Sequence, residues 1–210
     1  MTRNAETAHD SAEAIAGASV KACAALDVAC SAAKAGPVVT GDDGGFELTL
    51  PPSFSGYLEI ATVGYPTYLF YPIGAEFEGV VAEFNLINDE VAQQIVDDGG
   101  AVLGREADFT NLGAAYLRGF NCQNVPARGL RFGLAAPGQS SLAYLVNNAV
   151  DFARTETSAD GNAVYLFVDP GINTLSVTLA ETGVEVARQG MVVRPGHITV
   201  IAVPPARRGL

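Results

Sequence analysis

Apolar and polar positions alternate along most of the chain. In FELTL (46–50), Phe46, Leu48 and Leu50 alternate with Glu47 and Thr49, and GYLEIATV (56–63) and TYLFYP (67–72) follow with β-branched and aromatic residues. Short runs of this kind, bounded by Gly and Pro, predict β-strands, because successive side chains on a strand point to opposite faces. ASVKACAAL (18–26), VVT (38–40) and VVAEFNL (80–86) read as further strands, the first of them weak because it is rich in alanine. The period then changes at NDEVAQQIVDDGG (88–100). Asn88 stands as an N-cap, Asp89 and Glu90 follow where the helix dipole favours negative charge, and Gly99-Gly100 reads as the stop. Val91 and Ile95 form one narrow apolar stripe, so a short helix is predicted. Beyond it strand-like runs recur roughly every 8–12 residues, the spacing of an antiparallel sandwich. They are AAYLRGFNC, GLRFGLAA, SLAYLV, AVDFART, NAVYLFV, TLSVTLAE, VEVARQGMVV and HITVIAVP, with turn signals such as Pro137-Gly138, Asn147-Asn148 and Pro195-Gly196 between them.

Composition changes this picture little. At 210 residues, 49% hydrophobic and 17% charged, the chain has the make-up of one large or two small globular domains. A net charge of −11 argues against a nucleic-acid surface, which needs a basic stripe. No run approaches the roughly 18 apolar residues of a membrane span. The polar, Ala-rich arm 1–14 lacks the apolar core of a signal peptide, so a targeting segment is absent from this chain or the protein stays in the cytoplasm.

The two halves can be laid over each other. Gly17 before ASVKA matches Gly129 before LRFGLA, and Thr40-Gly-Asp-Asp43-Gly44 matches Thr157-Ser-Ala-Asp160-Gly161. An apolar strand and a proline follow each pair. The offset grows by about five residues between the two matches, which places an insertion around PGQSSLAYLVNNAV; so long a period means duplicated domains. At these residues the sequence resembles the carboxypeptidase regulatory-like, or transthyretin-like (prealbumin-like), β-sandwich family. The first copy carries its pattern at Gly17, Val20, Thr40, Asp43, Gly44, Phe46, Leu48, Leu50 and Pro51, and the second at Gly129, Thr157, Asp160, Gly161, Pro170 and Gly171. The resemblance implies an all-β chain of two tandem antiparallel Greek-key sandwiches, 1–86 and 105–210, joined by a linker with a short helix at 87–104. It also implies an extracytoplasmic or cell-surface setting, and tight structural turns at Asp43-Gly44 and Asp160-Gly161.

Chemistry is sparse. GDDGG lacks the spaced ligands of a calcium loop, and His9 and His197 stand far apart without a Cys-x-x-Cys partner, so no metal or cofactor is expected. No nucleophile elbow or phosphate loop occurs, and a Cys122–His197 dyad is the one nucleophilic pairing to weigh against a buried free thiol. The hydroxyisourate-hydrolysing branch of the family ends Tyr-Arg-Gly-Ser where this chain ends Arg-Arg-Gly-Leu, so that activity is not carried over and no enzyme is expected. Three cysteines allow one bridge and a free thiol: Cys23–Cys30 is the candidate bridge, against three reduced thiols. On GYPTYLFYP (64–72), Tyr65, Leu69 and Tyr71 share one face of a strand, and Tyr68 and Phe70 the other. One face packs inward; the second is covered by the helix or the other half, or it meets a partner. Tyr65 and Tyr68 are therefore binding candidates, and Tyr144 and Asn147 join them from SLAYLVNNAVDF, an inserted hairpin that either carries function or is simply a longer strand pair. The reading is a non-catalytic module for adhesion, spacing or assembly through a protein partner, with a glycan-binding module as the alternative.

Overall fold

The computed structural model describes residues 2–4, 13–71, 84–147 and 149–203. Most of the arm (5–12), the strand expected over 80–83, Pro72, His9, Asn148 and Pro204 lie outside these residues. Among the described residues, seven strands precede the helix: β1 (Thr2–Asn4), β2 (Glu13–Ala14), β3 (Ser19–Ala24), β4 (Ala35–Val39), β5 (Gly56–Ala61), β6 (Thr67–Tyr71) and β7 (Phe84–Leu86). Helix α1 spans Asp89–Leu103. Eight strands follow: β8 (Gly113–Gly119), β9 (Leu130–Leu134), β10 (Ser141–Val146), β11 (Ala149–Asp151), β12 (Asn162–Val168), β13 (Gly171–Leu179), β14 (Glu185–Val193) and β15 (His197–Val203).

The strands form a nine-stranded sheet, order β11-β10-β12-β8-β15-β6-β5-β3-β4, and two three-stranded sheets, β2-β1-β7 and β14-β13-β9. Alternation along the long sheet sends two sets of side chains to two cores. One face, with Cys23, Tyr57, Leu69, Tyr71, Leu117 and Tyr165, packs against Leu130, Phe132, Leu175, Val177 and Met191 of β9, β13 and β14. The other, with Val20, Ile60, Tyr68, Ala114, Val164 and Ile198, gathers Ile15, Leu86, and Ala92 and Val96 of the helix.

The halves repeat one another in detail. Thr40 and Thr157 are both buried, 4% and 1% exposed. The Thr40 hydroxyl donates to the Ile15 carbonyl (2.6 Å) and accepts the Ala18 amide (2.9 Å). That of Thr157 donates to the Ala127 carbonyl (2.7 Å) and accepts the Leu130 amide (3.0 Å). Gly17 and Gly129, each at φ 75°, donate to the carbonyls of Thr40 and Thr157. The parallel pairs β1/β7 and β8/β15 extend the match, Thr2↔Phe84 corresponding to Ala114↔Ile198.

Three sequence expectations change. The sheets are mixed rather than purely antiparallel, because β15 runs parallel to both β6 and β8. Residues 46–50 keep their alternating burial, with Phe46, Leu48 and Leu50 packed on the cores, but form no ladder. The helix is longer than a stop at Gly99-Gly100 allows. Those glycines are buried within it: a Cβ on Gly99 would lie 2.3 Å from Leu166 Cδ1 of the sheet, and one on Gly100 2.9 Å from the Arg105 carbonyl, so they permit close packing on the sheet and on the loop after the helix. The stop is Gly104, at φ 65°, whose amide bonds back to the last turn. The nine-stranded sheet runs through both halves, β15 lying between β8 and β6.

Candidate functional site: the seam between the repeats

Among the described residues, a polar cluster of buried charges lies beside the line where β6 meets β15. Five parallel pairs, from His197↔Thr67 to Ile201↔Tyr71, make the seam. Beside it, β3 and β5 place Lys21 opposite Glu59 and Cys23 opposite Tyr57, so all four side chains share one face. Lys21 Nζ lies 2.8 Å from Glu59 Oε1. Arg194, in the turn between β14 and β15, reaches across from the second half. Its Nη1 lies 2.5 Å from Glu59 Oε2, its Nη2 donates to the Tyr57 hydroxyl at 2.5 Å, and its Nε donates to the Val28 carbonyl. Arg194 and Glu59 side chains are only 14% and 11% exposed. A buried carboxylate held by two cations is satisfied, whereas removing one partner leaves a charge uncompensated. Burial pushes the Glu59 carboxyl up, yet the bonds from Lys21 and Arg194 outweigh it and hold the group below its ordinary range.

Tyr71 completes the seam. Its hydroxyl accepts the buried Val192 amide (2.8 Å) and donates to the Ala25 carbonyl (2.7 Å), while Thr199 donates to the Val192 carbonyl (2.7 Å). Both backbone polar groups of one β14 residue are thus satisfied by residues of β6 and β15. Tyr71 and Tyr57 rings pack with centroids 5.3 Å apart. Cys23 and Cys30 are joined by a disulfide, Cα atoms 5.2 Å apart, that closes the loop carrying Ala25, Asp27 and Val28. With both sulfurs in one bond and Glu59 taken by its cations, the grouping of Cys23, Cys30 and Glu59 offers no free metal ligand.

The other candidates scatter. Tyr68 and Tyr144 are 3% and 2% exposed, which corrects their reading as surface aromatics. Each hydroxyl serves the backbone, Tyr68 at Ile87 and Tyr144 at the Phe132 amide. Tyr65 is half-buried and packs with the helix-side core rather than with Leu69 and Tyr71. Asn147 is exposed at φ 50°, and its amide donates to Asp160 Oδ2 at 2.8 Å. Asp43 Oδ1 accepts the Gly45 amide (2.8 Å), and Gly44 and Gly161 sit at φ 71° and 67°, where glycine avoids strain. Cys122 is a free, exposed thiol in the turn beyond β8. It neighbours the Val203 end of β15, so roughly 20 Å of strand separates it from His197 and the dyad does not form. An open depression of 340 Å³ lined by Arg105, Glu106, Asp108, Asn111, Leu112 and Gln139 lies elsewhere; Arg105 there stacks over Phe167 at 4.2 Å. Sequence reading missed Lys21, Glu59, Tyr71 and Arg194. Lys21 and Glu59, single charges inside otherwise apolar strands, were the visible signal.

Comparison with known proteins adds little. No family model matches the chain, and no curated protein does. Among solved structures, the shaft pilin SpaA of Lactobacillus rhamnosus GG aligns at 11% identity and TM-score 0.29 over 100% of this chain and 97% of its own. The minor pilin GBS52 of Streptococcus agalactiae aligns at 10% and 0.34 over 95% and 87%, and the Bacillus anthracis TIE protein at 15% and 0.30 over 99% and 33%. At these scores the likenesses carry no argument about this chain.

Proposed function

We propose that the chain is a non-catalytic spacing and assembly module of an extracytoplasmic protein, built as two tandem transthyretin-like sandwiches that act as one rigid unit through protein–protein contacts. The observation that carries this reading is the seam. Strand pairing, a core common to both halves and the Arg194–Glu59–Tyr57 cluster leave no hinge between the repeats. A flexible linker would hold partners at variable distance, whereas a continuous sheet fixes it. The disulfide beside the seam supports an oxidising compartment, since cytosolic bridges rarely persist. Sugar stacking is not favoured, because Tyr68 and Tyr144 present no free ring face.

Differential thiol labelling on intact producing cells tests the reading. A membrane-impermeant maleimide should modify Cys122, and Cys23 and Cys30 should react only after reduction. Labelling confined to lysed cells, with all three thiols reactive after acid quenching, overturns it.

A further inference from the structure

The repeat shows which strand edge takes a neighbour. In the first half β6 is the outer strand of the run β3-β5-β6; in the second, β14 is the outer strand of the matching run β9-β13-β14. The match follows from Gly17 before β3 and Gly129 before β9, and from antiparallel pairing throughout both runs. The outward edge of β6 is filled by β15 of the other repeat. The outward edge of β14 is not filled along Glu185–Gly190. Val192, with its amide on Tyr71 and its carbonyl on Thr199, has both polar groups aimed away from β13. By the two-residue period, Arg188 and Gly190 aim theirs the same way, and among the described residues nothing receives them. Other edges are short or guarded: β11 has three residues, β4 carries Pro37, which has no N–H to offer, and Tyr144 and Tyr165 hydroxyls hold the Phe132 backbone of β9. An unguarded edge in a nine-residue strand is a template for another strand.

The complementary element is in the same chain. β7 stands to β1 as β15 stands to β8, both pairs parallel and in the same register, and β7 too ends its sheet. We propose that β14 receives β7 of a second copy of this chain, parallel to it, so that copies join head to tail as the repeats already join within one copy. This inference rests on the assembly reading and names its partner. Each junction leaves a free β7 and a free β14, so the series is open rather than closed. It is also weak. β7 offers three residues against the five pairs of the seam, and Tyr68 already holds the backbone of the next residue, Ile87. No counterpart of Tyr71 exists to anchor it, since Gly190 stands at the matching ladder position.

Sedimentation velocity on the whole chain over micromolar to millimolar concentration is the test. The weight-average coefficient should climb without a plateau at dimer, and the Arg188 and Gly190 amides should gain protection from hydrogen exchange as concentration rises. Arg188→Pro, which removes an outward N–H, and Asn85→Pro on β7 should each abolish association alone. Mixed, they should give dimers only, through the one good edge left on each. A wild-type chain that stays monomeric, a closed dimer, or Asn85→Pro associating like wild type through β14 on β14 overturns the proposal. Should both variants fail to fold, concentration-dependent exchange at Arg188 and Gly190 in the wild-type chain decides it. A monomer whose Cys23–Cys30 bridge and impermeant Cys122 labelling persist on cells overturns this inference and leaves the spacer reading standing.

Discussion

Tyr71→Phe isolates the seam with a single oxygen. The ring stays, so its packing on Tyr57 is kept and no cavity larger than a hydroxyl opens. Two bonds vanish. The Val192 amide, on a residue fully buried from solvent, loses its acceptor, while the Ala25 carbonyl sits on a half-buried loop that water reaches. A buried orphan donor costs about 1–3 kcal/mol, and a partly solvated carbonyl adds a fraction of one, so the loss should be about 2–3 kcal/mol. For a chain of this size that lowers Tm by about 4–12 °C. Guanidinium unfolding followed by circular dichroism should show a lower midpoint at unchanged slope. Tyr116→Phe is the comparison: no described hydrogen bond uses that hydroxyl, and the change should stay within about 0.5 kcal/mol. Because Tyr71 and Thr199 hold the N–H and the C=O of the same residue, Val192, a double-mutant cycle with Thr199→Val should give a coupling of at least about 0.5 kcal/mol. A Tyr71→Phe loss no larger than that of Tyr116→Phe, at unchanged slope, refutes the reasoning, because the Val192 amide must then have another partner.

The equivalence of the repeats predicts that Thr40→Val and Thr157→Val each cost about 2–3 kcal/mol in thermal unfolding, within about 1 kcal/mol of each other, since each orphans the same buried amide and carbonyl. Reducing Cys23–Cys30, or replacing both by Ser, should cost about 2–3 kcal/mol from loop closure over a sequence separation of 7, read as a midpoint shift against the oxidised chain. Acid should weaken the seam in two steps. His197, held below its ordinary value by burial and by the Arg194 guanidinium, against the opposing pull of the Pro195 carbonyl and Glu59, prefers the neutral ring when folded, so stability falls as pH drops below about 6.5. Glu59, depressed, contributes stability above the ordinary carboxylate range that is lost as pH falls from about 4.5 through its folded value; denaturant titrations of His197→Gln and Glu59→Gln should lack the upper and lower steps respectively.

Sequence pattern located most strands because period and turn chemistry are local. It could not show neighbours, because pairing between β6 and β15 joins positions 130 residues apart (His197 with Thr67). Gly99-Gly100 misled for a related reason: a glycine pair reads as a helix stop, and only the nearness of Leu166 reveals the packing role. Tyr68 and Tyr144 were misplaced because an aromatic on a strand looks the same whether its face meets water or another layer.

One signal did distinguish the seam, and it lies in how cleanly the strands alternate. FELTL and TLSVTL alternate well, and each has one covered face: Leu175 and Val177 of β13 are buried while Thr174, Ser176 and Thr178 are partly exposed. TYLFY, NAVYLFV and ITVIAV do not alternate; they are nearly unbroken apolar runs. Strands covered on both faces need no polar side, and parallel strands are almost always covered so. Those three runs are β6, β12 and most of β15, all in the interior of the nine-stranded sheet. The unbroken runs thus mark the strands that a second layer or a second repeat must cover from both sides. In β14, the counterpart of β6, apolar residues dominate only from Met191 to Val193, where Tyr71 and Thr199 already hold the backbone. Glu185, Arg188 and Gln189 interrupt the part whose edge is free. Polar side chains on an edge strand keep chance pairing weak without removing its amides. Any partner added there must therefore be held by backbone bonds more than by burial, and so reversibly.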